Sequence, residues 1–383
     1  MKQRALSLLL AAGTVLSLAA CQRENIESPA PAPTRPAATE PASEYESGFR
    51  TVVIDGQELG VGLVMDEAPD AALDAQPDKD IDRAVTPIQP VFGTKLDGTP
   101  LTAEFYYYRA ALDPTLQQAY DLLRAGMLEG KETIEMTVPV ERAKIFELYK
   151  MVLFDSPELF WADVNGMRYY YNNRDIVTSV LPGYNDLAAD IPGNTARLEQ
   201  AVNEALADLW SLPTQAEKAK YAHDYLTYHN VYDSNAVHSQ NLFSALVEGS
   251  TVCAGYSHAF QYLMQKMGIP CAYVLGYANG YHAWNVVLLD GEHYAMDVTW
   301  DDPLNAPPEK YSYRYFNLTD AALSADHTRM EISQSVPEAL GTACSYPNAF
   351  GGNAYGTDFA AIVGVMPEPV QPEQPGTGNP YLG

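Results

Sequence analysis

The sequence predicts an α+β fold in which a series of helices precedes an antiparallel sheet. Several segments between residues 113 and 267 repeat apolar residues at the three-and-four spacing of buried helix faces. After Gly268 the pattern changes to alternation, which is typical of strands. Two alternating runs flank Asp290-Gly291, a dipeptide that favours a two-residue hairpin turn. Helices followed by a hairpin indicate a layered α+β domain.

The first twenty residues have the features of a secretory signal. Lys2 and Arg4 form a basic start, and residues 6–20 are largely apolar but too few for an ordinary membrane span. The segment ends in Leu18-Ala19-Ala20-Cys21, which resembles the bacterial lipobox, where cleavage precedes a cysteine that then carries lipid. Cys21 is therefore the expected lipid attachment site. An ordinary signal peptide that ends beside a cysteine is the alternative.

The chain is strongly acidic, with a formal net charge of −26. Loss of residues 1–20 would remove Lys2 and Arg4 but no acidic residue, which leaves −28. Such a charge disfavours electrostatic binding to nucleic acid or to anionic lipid, so no nucleic-acid partner is expected. Apolar residues make up 47% of the chain, which is enough for a sizeable core.

The region before residue 195 carries weaker signals. Alternation over 49–64 around Asp55-Gly56 indicates a hairpin, and Tyr106-Tyr107-Tyr108 is interpreted as an alternating strand rather than a carbohydrate-stacking surface. Asp113-Pro114 has the form of a helix N-cap followed by proline in the first turn. The further elements expected here are a helix over 143–155 and strands over 167–171 and 176–181.

Three helical segments are expected between residue 195 and Cys253. One is expected to begin at Thr195. The next carries the capping-box residues Thr214 and Glu217, whose side chains can each bond the other's backbone N–H, and runs to about His229. A short helix is expected over 242–247.

Cys253 stands at the start of a strongly patterned helix that ends at Gly268. The apolar face of this helix consists of Tyr256, Phe260, Leu263, Met264 and Met267. At a helix N-terminus the unpaired N–H groups and the positive end of the helix dipole favour an anion, which for cysteine is the thiolate. Cys253 is therefore a candidate nucleophile.

The hairpin turn predicts which side chains meet. If Asp290-Gly291 form the two-residue loop, Leu289 faces Glu292 and His282 lies opposite Thr299. Because strand side chains alternate, Asp297 then projects from the same face as His282, as its diagonal neighbour. A three-residue loop would place the two side chains on opposite faces. The turn chemistry thus predicts a His282–Asp297 pair.

These residues have complementary chemical roles. Cys253 is expected to attack a carbonyl carbon, His282 to activate the thiol and later protonate the leaving group, and Asp297 to fix the imidazole tautomer. The backbone N–H of Cys253 is the first expected oxyanion donor, and the sequence assigns no second donor.

The same residues resemble the transglutaminase-like superfamily of papain-related cysteine enzymes. The matching motifs are Val252-Cys253-Ala254-Gly255-Tyr256, His282-Ala283-Trp284-Asn285 and the segment from Tyr294 to Pro303. The resemblance implies a papain-like core with a nucleophile helix packed on an antiparallel sheet, preceded by a smaller α+β region. It also implies that Cys253, His282 and Asp297 form the catalytic triad.

The resemblance is closest to exported bacterial members. It covers residues 195–330 and, more loosely, 105–194, where the segment Asp155–Trp161 is similar. The expected function is a membrane-tethered, extracytoplasmic enzyme that acts on amide bonds of proteins or peptides through a thioacyl intermediate, without a cofactor. Hydrolysis is favoured; transfer to an amine, as in a protein-glutamine transglutaminase, and a non-catalytic cell-surface binding module are the alternatives.

Other residues allow a functional and a structural interpretation. Trp284 and Trp300 are interpreted as core or site walls, with substrate stacking as the alternative. Asp301-Asp302 is interpreted as a solvated turn, with calcium binding as the alternative. His258 lies on another helix face from Cys253 and is interpreted as a packed or surface histidine. The remaining histidines, His223, His229, His238, His293 and His327, show no metal-ligand spacing, so no zinc site is expected.

Two cysteines remain without an assigned role. Cys271 and Cys344 are a disulfide or two buried thiols, and unpaired thiols are favoured because Cys271 begins an apolar strand. The expected segments are a lipoprotein signal peptide (1–20), a disordered Pro/Ala-rich tether (21–48), an N-terminal α+β region (49–194), a catalytic core (195–330), a C-terminal extension packed on the core (331–366) and a disordered tail (367–383).

Overall fold

A computed structural model describes residues 50–54, 57–61, 72–77, 79, 81, 87–207, 212–302 and 312–351. The expected signal peptide, Cys21, the tether and the tail over 367–383 lie outside these residues and stay predictions. Within the described part of the chain, no helix is long and apolar enough to cross a membrane.

The elements follow the predicted order of helices before a hairpin. The α-helices are α1 Tyr107–Ala111, α2 Pro114–Leu128, α3 Arg142–Asp155, α4 Ile191–Ala205, α5 Gln215–His229, α6 Cys253–Lys266, α7 Val298–Asp301, α8 Asp320–Leu323 and α9 Tyr346–Phe350. The strands are β1 Arg50–Ile54, β2 Gln57–Val61, β3 Ala72–Ala75, β4 Ile134–Glu135, β5 Ala162–Tyr171, β6 Val177–Tyr184, β7 Val231–Tyr232, β8 Ser250–Thr251, β9 Cys271–Tyr277, β10 Tyr281–Leu289, β11 Glu292–Met296 and β12 Thr328–Arg329.

The strands of the described residues form two four-stranded sheets and two pairs. The first sheet has the order β3-β5-β6-β4 and the second the order β11-β10-β9-β12. In the second sheet all neighbouring strands are antiparallel. β1 pairs with β2, and β7 pairs in parallel with β8, immediately before α6. The α+β fold class is therefore confirmed.

Helix caps account for the helix starts. Asp113 accepts hydrogen bonds from the N–H groups of Thr115 and Leu116, as predicted for α2. The capping box of Thr214 and Glu217 is present at the start of α5. The predicted start at Thr195 was wrong: α4 begins at Ile191 because Asp190 caps it and a proline occupies its first turn.

The tyrosine run forms a helix, so the predicted strand was wrong there. Tyr106 is the N-cap of α1 and Tyr108 is buried. The hydroxyl of Tyr108 donates to the carbonyl of Tyr273 on β9 over 2.7 Å. This contact, together with the bond of 2.8 Å from Gln261 on α6 to the carbonyl of Phe154, joins the N-terminal region to the core.

The hairpin has the predicted register, with Leu289 opposite Glu292. Asp290 and Gly291 both have positive φ, as a type I′ turn requires. The returning strand is shorter than predicted: β11 ends at Met296, so Thr299 does not pair with His282. The cause is Asp297, whose side chain caps α7 and turns the chain into a helix.

The core surrounds α6, which is buried on nearly every side. Its apolar face includes the predicted Tyr256, Phe260, Leu263 and Met264. Cys271 and Cys344 are both buried and are not joined to each other by a disulfide, as favoured by the sequence. Burial raises the pKa of the Cys271 thiol well above its ordinary value, so this cysteine is a packing residue rather than a nucleophile.

Candidate active site

Cys253 is the first residue of α6, and its side chain is buried. A Cβ at Gly255 would lie only 2.8 Å from the carbonyl oxygen of Ser239 and 2.9 Å from that of Asn241. Glycine therefore allows the first turn of α6 to pack directly on the backbone of the preceding loop. This contact fixes the helix start and with it the position of the sulfur.

His282 lies near the start of β10, and Asp297 follows β11 as the N-cap of α7. The Nε2 atom of His282 is 2.7 Å from Oδ2 of Asp297, and both side chains are fully buried. Oδ1 of Asp297 accepts the backbone N–H groups of Thr299 and Trp300. The carboxylate is therefore held on both oxygens, and it fixes the tautomer and the orientation of His282.

The Nδ1 atom of His282 is buried and has no hydrogen-bond partner among the described residues. Burial lowers the pKa of His282, but the carboxylate of Asp297 and the thiolate of Cys253 outweigh burial and raise this pKa to about 10. The thiol is thus electrostatically coupled to the imidazole. Because Nε2 is taken by Asp297, Nδ1 is the atom that can exchange a proton with Cys253.

Asp297 remains ionised despite its burial. Burial raises its pKa, but His282 and then His327 outweigh this and hold the pKa of Asp297 well below its usual range. His327 Nε2 lies 3.0 Å from the same Oδ2 atom that accepts from His282. No local sequence pattern indicates this contact, because Asp297 lies thirty residues before His327 in the chain.

The indole rings of Trp284 and Trp300 form walls of the site, as one of the two interpretations of these residues predicted. Trp284 and Trp300 are each 1% exposed. Their ring centroids lie 6.2 Å and 5.6 Å from that of His282. At this exposure the indoles exclude water from the imidazole rather than offer a stacking surface to a ligand.

Tyr232 is a further residue of the site that the sequence analysis did not identify. β7 pairs with β8 so that Tyr232 lies opposite Thr251, two residues before Cys253. Its hydroxyl is buried and has no hydrogen-bond partner within the described ranges. Burial and then the charge of Cys253 raise the pKa of Tyr232, so the hydroxyl stays protonated.

A small pocket of about 90 Å³ borders the first turns of α6. Its lining includes Ala254 and His258 of α6 together with Phe154, Asn241 and Tyr273. His258 is stacked on Tyr273 at 4.3 Å, and burial lowers the pKa of His258 to about 4. His258 is therefore a packed, neutral residue, as expected, and has no role as a base.

Asp301 is fully buried, so the interpretation as a solvated turn was wrong. Its carboxylate faces Nε2 of His223 at 3.2 Å and accepts hydrogen bonds from Ser312 and the N–H of Tyr315. Asp301 therefore joins Ser312 and Tyr315 to His223 on α5, and these contacts explain the burial of Asp301 without a calcium ion. Burial also raises the pKa of the neighbouring Asp302 to about 8.

His282, Asp297 and His327 are the only group in the described part of the chain that brings three metal-ligand residues together, within 4.8 Å. Their facing atoms already form hydrogen bonds of 2.7 and 3.0 Å. A hydrogen-bonded relay explains the cluster, and a metal ion would have to displace both bonding protons.

Comparison with known proteins identifies this part of the chain. Residues 204–298 match the sequence model of a family described as the transglutaminase-like superfamily. The match contains Cys253, His282 and Asp297. Residues 204–298 form a transglutaminase-like domain. The predicted resemblance is therefore confirmed, and the domain contains α6, the β10–β11 hairpin and the Asp297 cap.

Relatives of the transglutaminase-like domain include the kyphoscoliosis peptidases of Mus musculus and Homo sapiens, which are 25% and 26% identical over 157 residues. Each alignment covers 35% of this chain but only 24% of the relative. The chain thus spans about a quarter of the length of these curated relatives.

Two solved structures are also similar to the chain. One is a TGase, with a TM-score of 0.25, 18% identity and coverage of 35% of this chain and 45% of the other. The second is a proposed cysteine protease of Cytophaga hutchinsonii, with a TM-score of 0.26, 16% identity and coverage of 48% and 63%. At these TM-scores neither structure adds to the argument for the transglutaminase-like domain.

Proposed function

We propose that the protein hydrolyses amide bonds of proteins or peptides through a thioacyl intermediate on Cys253. The observation that carries this proposal is the position of His282. Its Nε2 atom is bound to Asp297, which leaves Nδ1 to exchange a proton with Cys253, and the charge of Cys253 raises the pKa of His282. This arrangement can move a proton between the sulfur and a leaving group.

In the acylation step the Cys253 thiolate attacks the carbonyl carbon of the substrate, and the carbonyl electron pair moves to oxygen. The N–H of Cys253, which as first residue of α6 has no intrahelical acceptor, and the hydroxyl of Tyr232 are the proposed donors to this oxyanion. His282 then gives its Nδ1 proton to the nitrogen of the leaving amine. The C–N bond breaks and a thioester remains on Cys253.

In the second step water attacks the thioester. His282 takes one proton from the water, the C–S bond breaks, and the carboxylic acid leaves while the thiolate of Cys253 is restored. All three triad side chains are buried, so a substrate that reaches the sulfur has to displace neighbouring groups.

The proposed acceptor of the acyl group is water rather than an amine. The triad serves both reactions, because the acceptor is selected by the shape of the site. The curated relatives are named peptidases, which supports hydrolysis.

The protein is further proposed to act outside the cytoplasm, tethered to a membrane through lipid on Cys21. The lipobox-like sequence before Cys21 and the Pro- and Ala-rich segment after it support this location. Metabolic labelling with a fatty-acid analogue tests it: the wild type should incorporate label and Cys21→Ala should not. Equal labelling of both would contradict the anchor.

The activity is tested with denatured protein substrates in ¹⁸O-water containing a biotinylated primary amine. Hydrolysis predicts new termini labelled with ¹⁸O, absent in Cys253→Ala. Incorporation of biotin that depends on Cys253 would show amine transfer instead. Absence of both products, with Cys253 unreactive to electrophiles, would favour the binding module.

A further inference from the structure

His327 occupies an unusual position between two acidic side chains. Its Nε2 atom lies 3.0 Å from Oδ2 of Asp297 and its Nδ1 atom lies 2.7 Å from Oδ1 of Asp326. The His327 side chain is 1% exposed. Oδ2 of Asp326 accepts the hydroxyl of Tyr315 over 2.8 Å, which fixes the Asp326 carboxylate in this orientation.

The two contacts define the protonation state of the ring. An ionised carboxylate only accepts hydrogen bonds, so each facing ring nitrogen must carry a hydrogen. A neutral imidazole has one N–H, whereas the imidazolium has two. Both bonds of His327 are therefore satisfied only when the ring is the cation.

The shared oxygen connects this cation to the catalytic pair. Oδ2 of Asp297 accepts from both His282 and His327, and the two ring centroids lie 5.4 Å apart. Trp300 and Trp284 pack against His327 at 4.5 and 5.1 Å and keep water from the cluster. In this dry surrounding the charges act on each other strongly.

We propose that His327 is a positioning residue that shares Asp297 with His282 and, as an imidazolium held between two carboxylates, limits how strongly His282 holds its proton. The charges alternate from Asp326 through His327, Asp297 and His282 to Cys253. This proposal rests on the proposed function, because a limit on the basicity of His282 matters when His282 must release a proton to a leaving group.

The direction of the effect follows from the groups around His282. Asp297 and Cys253 raise its pKa. The His327 ring lies 5.4 Å away on the same Asp297 oxygen, with Asp326 on its far side. Loss of the His327 cation removes its repulsion of the His282 imidazolium. It also leaves His282 as the one imidazole that bonds Oδ2 of Asp297 among the described residues. Both changes favour the protonated form of His282, so its titration moves to higher pH.

The test is an NMR titration of histidine-labelled full-length protein in a Cys253→Ala background. The chain has seven histidines, which makes the spectrum tractable, and His282→Gln assigns the signal of interest. Removal of the thiolate lowers the pKa of His282 and brings its titration into an accessible range, because Cys253 otherwise raises it. No turnover is needed.

In the Cys253→Ala background, the further substitution His327→Gln should move the titration of His282 upward by about one pH unit, the order expected for one nearby charge. Asp326→Asn removes the more exposed of the two carboxylates that hold the His327 cation. This substitution should also move the titration of His282 upward. Asp320→Asn is the matched control, because it removes a charge from the same segment. Among the described residues, the Asp320 carboxylate bonds Arg329 and the N–H of Ala339.

An unchanged His282 titration in both folded variants, or an equal shift with Asp320→Asn, would overturn the proposal. If His327→Gln does not fold, Asp326→Asn decides alone by the same criterion. A protein that shows the shift but no Cys253-dependent hydrolysis would contradict the proposed function and leave the relay established.

Discussion

The Nε2 atom of His282 and the Oδ2 atom of Asp297 lie 2.7 Å apart, although the two residues are not paired in the sheet. β11 ends at Met296, and Asp297 turns its side chain back toward β10 while Oδ1 caps α7. One carboxylate thus caps α7 and orients the imidazole of His282. Substitutions at Asp297 therefore affect both.

Asp297→Asn should lower turnover by about 10³- to 10⁴-fold, because the amide no longer stabilises the imidazolium and can favour the wrong tautomer of His282. The measurement is the rate of Cys253-dependent substrate cleavage. Circular dichroism is the control for folding, since Oδ1 of the asparagine can still accept the N–H groups of α7. A folded variant with wild-type turnover would show that Asp297 is only a helix cap.

Tyr232→Phe should lower turnover by about 10²- to 10³-fold, the magnitude typical of a lost oxyanion donor. The alkylation rate of Cys253 by iodoacetamide should change little, because alkylation forms no oxyanion. Tyr170→Phe on β5 is the matched control and should leave both rates unchanged. A Tyr232→Phe enzyme that keeps full turnover would exclude this hydroxyl as the second donor.

Gly276→Ala should destabilise the sheet that carries His282. Gly276 lies opposite His282 on β9, and an added Cβ would come within 2.3 Å of the carbonyl oxygen of Thr328 and 2.2 Å of the indole of Trp284. Overpacking of this kind costs about 1–3 kcal/mol of unfolding free energy. Urea titration measures the loss, and a change within error would mean that β12 moves away freely.

Asp155→Asn should change how stability depends on pH. Burial raises the pKa of Asp155 to about 7, while the N–H groups of Arg109 and Tyr108 and the hydroxyl of Tyr120 act against this. The contribution of a carboxyl group with a raised pKa is complete below its ordinary value of 3.8 and is lost as pH rises through about 7. The asparagine cannot accept all three bonds.

The advantage of the wild type over Asp155→Asn should therefore be about 1–3 kcal/mol near pH 4 and shrink toward pH 8. Unfolding free energies of both proteins across this range provide the measurement. An advantage that grows with pH would show that Asp155 is stabilising as the anion.

The position of Cys253 at a helix start and the contact of His282 with Asp297 could be predicted because they depend on local signals. A two-residue turn at Asp290-Gly291 sets the register of its hairpin, and a glycine-flanked apolar period places Cys253 at a helix start. The end of β11 could not be predicted from alternation, because alternation continues to Thr299 while the side chain of Asp297 starts a helix.

The other site residues depend on long-range contacts. His327 bonds Asp297 from thirty residues away, and the pairing of β7 with β8 places Tyr232 opposite Thr251, two residues before Cys253. No local period or spacing encodes either contact. The helix at Tyr107 was missed because its aromatic residues have strand propensity, which burial of Tyr108 against β9 overrides.

Activation of Cys253 by His282 can be measured through the pH dependence of Cys253 alkylation. Iodoacetamide labelling is quantified by mass spectrometry of the Cys253 peptide in the wild type and in His282→Ala, with the buried Cys271 and Cys344 as internal controls. Activation predicts rapid labelling of the wild type already near pH 6–7, lost in His282→Ala. Labelling of both proteins only above about pH 8.5, the range of an ordinary thiol, would show that His282 does not activate Cys253.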